Sequence, residues 1–194
     1  MELNSVQKLA TVLKVLVVIV FVCNLIALAA VPLLSMISFE DAVEWGVEGL
    51  GYLFGAEPVP EGYWPFTFFF FLSWVGIWGA LESAVMAIFL WICGISTAIL
   101  LWQAKRVLEN IENGGLFSFA NGAHLWRAAV CSFVISGVSL LWAVFRGVMN
   151  GILELLSLST LFFPVFFLAG LLFLVMSALF RQAAEMKEEN DLTI

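Results

Sequence analysis

Apolar residues run along the chain in four long stretches that carry almost no charge: Val15 to Ile37, Phe66 to Gln103 interrupted only by Glu82, Ala128 to Phe145, and Leu155 to Phe180. A helix rises about 1.5 Å per residue and needs roughly 20 apolar residues to cross the hydrocarbon core of a bilayer. Three of the runs therefore predict one crossing each. The Phe66 to Gln103 run has 38 residues, which as one helix would be about 57 Å, nearly twice the hydrocarbon thickness. Two crossings within it would need a polar loop that is missing, so a single crossing is predicted at about Ala80 to Trp102. Phe66 to Gly79 then forms either a helix along the outer interface or a re-entrant element, with Trp74 and Trp78 on an interfacial face.

The longest water-facing stretch, Ser38 to Pro65, has a helical pattern of its own. Phe39, Val43, Val47, Leu50 and Phe54 recur at three- and four-residue steps, and Glu40, Glu44 and Glu48 form the opposite stripe. The expected architecture is all-α: a polytopic membrane protein with four transmembrane helices, an outer amphipathic helical cap and both termini cytoplasmic. It forms a single membrane domain over residues 1–194. Helix 1 is predicted at about 9–37, the cap and interfacial segment at 38–79 and helix 2 at about 80–112. A cytoplasmic loop at 113–118, helix 3 at about 119–148 and helix 4 at about 153–190 complete it.

Composition agrees with this pattern, since 63% of the residues are hydrophobic and only 12% charged, against about 25% charged in an ordinary soluble domain. Charge then sets the orientation. With four crossings and an inner N-terminus, Lys8, Lys14, Lys105, Arg106, Arg127, Arg181 and Lys187 fall inside and only Arg146 outside, as the positive-inside rule requires. Seven acids balance the inner bases, so the outer side carries the whole net charge of -7. Such an outer field repels anions and nucleic acid. The first apolar run, 23 residues long, exceeds the core of a secretory signal and predicts a retained helix.

Little in the sequence can carry catalysis. His124 is the only histidine, and no H-x-x-x-H, CxxC or HExxH is present, so neither a metal nor a cofactor is expected. Cys23, Cys93 and Cys131 each lie inside an apolar run and form no redox pair. No serine has the G-x-S-x-G setting of a nucleophile. The protein is therefore not expected to be an enzyme. Two intramembrane polar residues remain, Asn24 near the middle of helix 1 and Glu82 within one turn of the outer surface; an acid in a span is a functional candidate because burying its charge is costly. Ser132, Ser136 and Ser139, with Gly94 and Ala98, supply the small faces of ordinary helix packing.

The inner segments are more distinctive. Asn113-Gly114-Gly115 predicts a left-handed stop to helix 2, and Ser118 predicts the N-cap of helix 3. The tail prolongs helix 4 into an acidic, polar end closed by Asp191-Leu192-Thr193-Ile194. The loop ENGGLFSFANGAHLWRAA and the ending FRQAAEMKEENDLTI resemble those of the YoaS-like family of uncharacterised bacterial four-span membrane proteins, the domain of unknown function DUF2975. Phe117, Ser118, Asn121, Leu125 and Arg127 match the family's loop, while Leu116 and Ala120 stand where it has Pro and Glu. Glu188, Glu189, Asp191, Leu192, Thr193 and Ile194 match its tail. Members are often encoded beside a small Cro/C1-type helix-turn-helix regulator, so the resemblance implies a membrane partner that restrains or informs a DNA-binding protein.

Two functions follow from these residues. The first is a membrane interaction or regulatory protein of the bacterial cytoplasmic membrane. It would dock a cytoplasmic DNA-binding regulator through Phe117, Ser118, Asn121, Arg127, Glu188, Glu189, Asp191, Leu192 and Ile194, without touching nucleic acid itself and with oligomerisation left open. The alternative is a small transporter or channel subunit using Glu82 and Asn24. Sparse intramembrane charge and the absence of an internal repeat favour the first.

Overall fold

The structure, a computed structural model, describes residues 3–36, 72–79, 81–115, 118–151 and 158–192. Four long helices dominate: α1 (Leu3–Met36), α2 (Leu81–Glu112), α3 (Phe119–Asn150) and α4 (Phe162–Leu192). All four are long and apolar enough to cross a membrane, and among the described residues every regular element is helical. Large side chains such as Leu16, Ile19 and Ile26 are exposed along α1, with Ile26 at 66%; the apolar faces of α2, α3 and α4 are likewise open. Water would penalise such a surface by roughly 25 cal/mol per Å², whereas lipid tails satisfy it. The chain is a membrane protein.

The expected cap over 38–65, and most of the Phe66 to Gly79 segment, lie outside the described residues. The part of that segment which is described is helical at 72–76 and turns into a 3-10 segment at Ile77–Gly79. Ser73 and Ile77 are buried while Trp74 and Trp78 are exposed.

The chain divides into two compact units, Met1–Leu25 with Ile92–Ile194, and Ile26–Trp91. The smaller is built on Val31, Ile77 and Ala87, with Leu90 and Trp91 packed against them, and the Trp74 ring lies 5.9 Å from that of Trp91. Pro32 is fully buried here and α1 continues through it to Met36. The missing N–H costs one backbone bond, and Ser35 donates to the Pro32 carbonyl at 2.9 Å.

In the larger unit successive helices run antiparallel. Phe21 of α1 meets Trp102 of α2 at 6.0 Å, and His124 of α3 meets Gln103 of α2 at 2.6 Å. The α3 to α4 register is fixed at three levels. Ser177 Oγ donates to the Gly122 carbonyl at 2.7 Å, Phe133 packs edge-on to Phe167 at 5.7 Å, and Ser136 Oγ donates to the Phe163 carbonyl at 3.0 Å. Ser132, Ser136 and Ser139 are all buried, the small face that lets two helices approach closely.

α4 begins at Phe162, later than the expected residue 153, because a 3-10 segment, Leu158–Leu161, precedes it. Pro164 falls in its first turn, where the missing N–H has no intrahelical partner to lose.

At Gly170 the close approach is absolute, since a Cβ there would stand 2.9 Å from the Phe133 ring. Gly170→Ala is expected to destabilise the protein by about 1–3 kcal/mol through overpacking. Gly137→Ala, which meets nothing within 4 Å, is expected to be neutral or mildly stabilising. Thermal unfolding of the two variants in the same detergent checks the contrast.

Candidate functional site

The turn between α2 and α3 closes in two steps. α2 ends in a Schellman arrangement: Gly115 N–H donates to the Asn110 carbonyl at 2.8 Å and Gly114 N–H to the Ile111 carbonyl at 3.0 Å. Gly114 adopts φ +81°, the left-handed conformation that the stop requires. Ser118 then caps α3 in extended backbone geometry, its Oγ accepting from Asn121 N–H at 3.4 Å.

Asn121 ties these pieces together. Its Oδ1 accepts from Asn110 Nδ2 at 2.7 Å and its Nδ2 donates to the Gly115 carbonyl at 3.0 Å. The residue is 0% exposed. Asn121, read from sequence as partner-binding, thus spends its amide inside the chain, and the half-buried Ser118, read the same way, accepts the Asn121 N–H.

Two other segments, α1 and α4, converge on the same end of this unit. Lys14 of α1 forms an ion pair with Glu112, and Thr11 donates to the same carboxylate at 3.1 Å. Lys105 pairs with Glu109 at 3.4 Å. A Cβ on Gly122, in the first turn of α3, would meet Arg181 Cγ at 2.7 Å and the Ser177 carbonyl at 3.2 Å. The polar end of α4 therefore starts beside the loop. From Glu185 to Asn190 every residue of that end is exposed, Glu188 and Glu189 among them. For Asp191 and Leu192 the backbone alone is described, and Phe117 and Ile194 lie outside the described residues.

Between α2 and α3, next to the loop, lies a cavity of about 310 Å³ lined by Trp102, Gln103, Arg106, Asn110, Ala120, His124 and Arg127. His124 Nδ1–H donates to Gln103 Oε1 at 2.6 Å, and Gln103 is buried. Arg106 Cζ sits 5.3 Å over the Trp102 ring, with Lys105 Nζ at 4.8 Å. The sequence reading picked out Arg127 but not this cavity. Its signal is a pair of helical stripes: Gln103, Arg106 and Asn110 on α2, and Ala120, His124 and Arg127 on α3, each spanning two turns of one face.

Glu82 is exposed in the first turn of α2, where the helix dipole favours a carboxylate. Asn24 is half-buried, and its Oδ1 has no hydrogen-bond partner among the described residues. No group of three or more His, Cys, Asp or Glu able to hold a metal is found among the described residues.

Comparison with known proteins bears directly on the loop and tail. The family described as "Protein of unknown function (DUF2975)" matches residues 54–194. The chain belongs to that family. No curated protein and no solved structure matches it. The DUF2975 match takes in α2, α3 and α4, the loop, the tail and every residue lining the cavity, while α1 lies before it. Lys14 and Thr11, which clasp Glu112, lie before the matched range.

Proposed function

We propose that this DUF2975 protein is a non-enzymatic interaction or regulatory protein of the bacterial cytoplasmic membrane. In this reading its loop, tail and both termini are cytoplasmic, and the acidic end of α4 docks a basic cytoplasmic partner, a Cro/C1-type helix-turn-helix regulator being the kind of protein the family resemblance implies. The observation that carries the reading is the convergence of the loop, the start of α1 and the exposed end of α4 on one end of the larger unit. Seven of the chain's eight Lys and Arg residues belong to that end, which supports a cytoplasmic assignment.

Rigid shape favours recognition over mere solubility. The Asn121 network holds the loop, and α4 carries its charges on a helix that continues past the bilayer, so the binding groups are preorganised and lose less entropy on docking. Co-purification from solubilised membranes, comparing the full chain with one lacking residues 188–194, tests the reading: the partner is expected to be lost from the truncated protein.

Transport is the weaker reading, because Glu82 sits exposed at a helix start. If Glu82 served a proton or cation path, Glu82→Gln would abolish flux in liposomes. No flux in the parent protein, and unchanged folding of Glu82→Gln, is the expected result.

A further inference from the structure

The cavity between α2 and α3 has a composition that partner docking by the tail does not use. None of its seven lining residues is acidic, and two are arginines. The guanidinium of Arg127 is exposed and has no hydrogen-bond or ion-pair partner among the described residues. Among the described residues, the one ion pair of Arg106 is a long contact to Glu109, at 3.9 Å. Its guanidinium lies over the Trp102 ring, an arrangement that holds the planar group while leaving in-plane N–H donors available.

The remaining polar groups also offer donors. With Gln103 Oε1 occupied by His124 Nδ1–H, the Gln103 amide turns its Nε2 donors elsewhere, and Asn110 Nδ2 retains a second N–H beyond the one given to Asn121. A pocket lined by donors and two positive forks, without a carboxylate, selects a tetrahedral oxyanion. Arg is the side chain whose paired N–H groups match phosphate oxygens two at a time.

The depth of the site adds a constraint. From Leu81 to Trp102, α2 rises about 32 Å, close to the thickness of the hydrocarbon core. Setting Leu81 at one boundary places Trp102 at the other, where indole rings are enriched, and Arg106, one turn beyond it, at the level of the lipid phosphates.

We propose that this pocket binds a phosphate group, held by Arg106 and Arg127, either on the headgroup of an anionic phospholipid or on a soluble phosphate compound.

The test uses the full-length chain purified in detergent and stripped of lipid, with phosphatidylglycerol, phosphatidylcholine and inorganic phosphate as separate probes. Binding is read by native mass spectrometry and by the shift of the thermal midpoint. The wild-type protein is expected to retain phosphatidylglycerol in preference to phosphatidylcholine. Arg106→Gln with Arg127→Gln is expected to weaken this at least about tenfold, the loss of charged hydrogen bonds, and Lys187→Gln on the tail to leave it unchanged. Arg127→Lys, at a position without partners among the described residues, keeps the charge but loses the fork, and is expected to weaken binding several-fold. A midpoint raised by inorganic phosphate and not by phosphatidylglycerol, with the same dependence on the arginines, assigns the site to a soluble phosphate compound. Failure of both anionic probes to bind the wild-type protein, or equal binding by the double variant, overturns the proposal. Because residues 188–194, whose deletion tests partner docking, are intact in every variant, this outcome is separate from that of partner docking.

Discussion

Asn121→Ala is expected to destabilise the protein by about 2–4 kcal/mol, more than any other single polar substitution at the loop. The side chain is completely buried and joins Asn110 at 2.7 Å to the Gly115 carbonyl at 3.0 Å. Its removal strands a half-buried donor on Asn110 and a half-buried acceptor on Gly115, each costing up to about 1–3 kcal/mol when left unsatisfied. Ser118→Ala removes only the N-cap acceptor and is expected to cost about 1 kcal/mol. Asn121→Asp keeps the acceptor facing Asn110 but sets a carboxylate oxygen against the Gly115 carbonyl, so it does not rescue. Thermal unfolding in detergent is expected to give the order Asn121→Ala below Ser118→Ala below the parent. Limited proteolysis at the loop should follow the same order, because the network is what holds the α2 stop against the α3 start.

Deleting residues 188–194 is expected to abolish partner association while leaving the four apolar helices to insert. The end of α4 is exposed from Glu185 to Asn190, and Leu192 and Ile194 add apolar residues beyond the acids. Charge steers an encounter and apolar anchors hold it, so both parts are required. Reversing Glu188 and Glu189 to Lys should then weaken association most at low ionic strength, where exposed charges act over about 30 Å at 0.01 M salt but only about 8 Å at 0.15 M. A partner retained equally by the deleted and full-length proteins would leave the tail as a solubility or folding element.

The helices were legible in the sequence because uninterrupted apolar runs have few alternatives to crossing lipid. The α2 stop and the α3 cap were legible too, since only a glycine fits the φ of +81° at Gly114 comfortably and Ser118 is a strong N-cap residue. Helix starts were harder. The apolar run from Leu155 does not distinguish the 3-10 segment Leu158–Leu161 from the helix that follows, because both are made of lipid-compatible side chains. Burial decided the meaning of Asn121. A polar residue in a loop motif reads from sequence as a binding residue, yet here two helices and a turn converge on its amide. The cavity escaped for the opposite reason: its residues are divided between two helices, and only the antiparallel register brings Arg106 and Arg127 to one cavity.

The central claim is that the end carrying the loop, the α2 to α3 cavity and the polar end of α4 faces the cytoplasm. Single cysteines test it in a background lacking Cys23, Cys93 and Cys131. Asn113→Cys reports the exposed loop, and Glu48→Cys reports the segment before α2. With a membrane-impermeant maleimide added to intact cells, Glu48→Cys is expected to be labelled and Asn113→Cys to be labelled only after the membrane is opened. Labelling of Asn113→Cys in intact cells, with Glu48→Cys protected, would contradict the account.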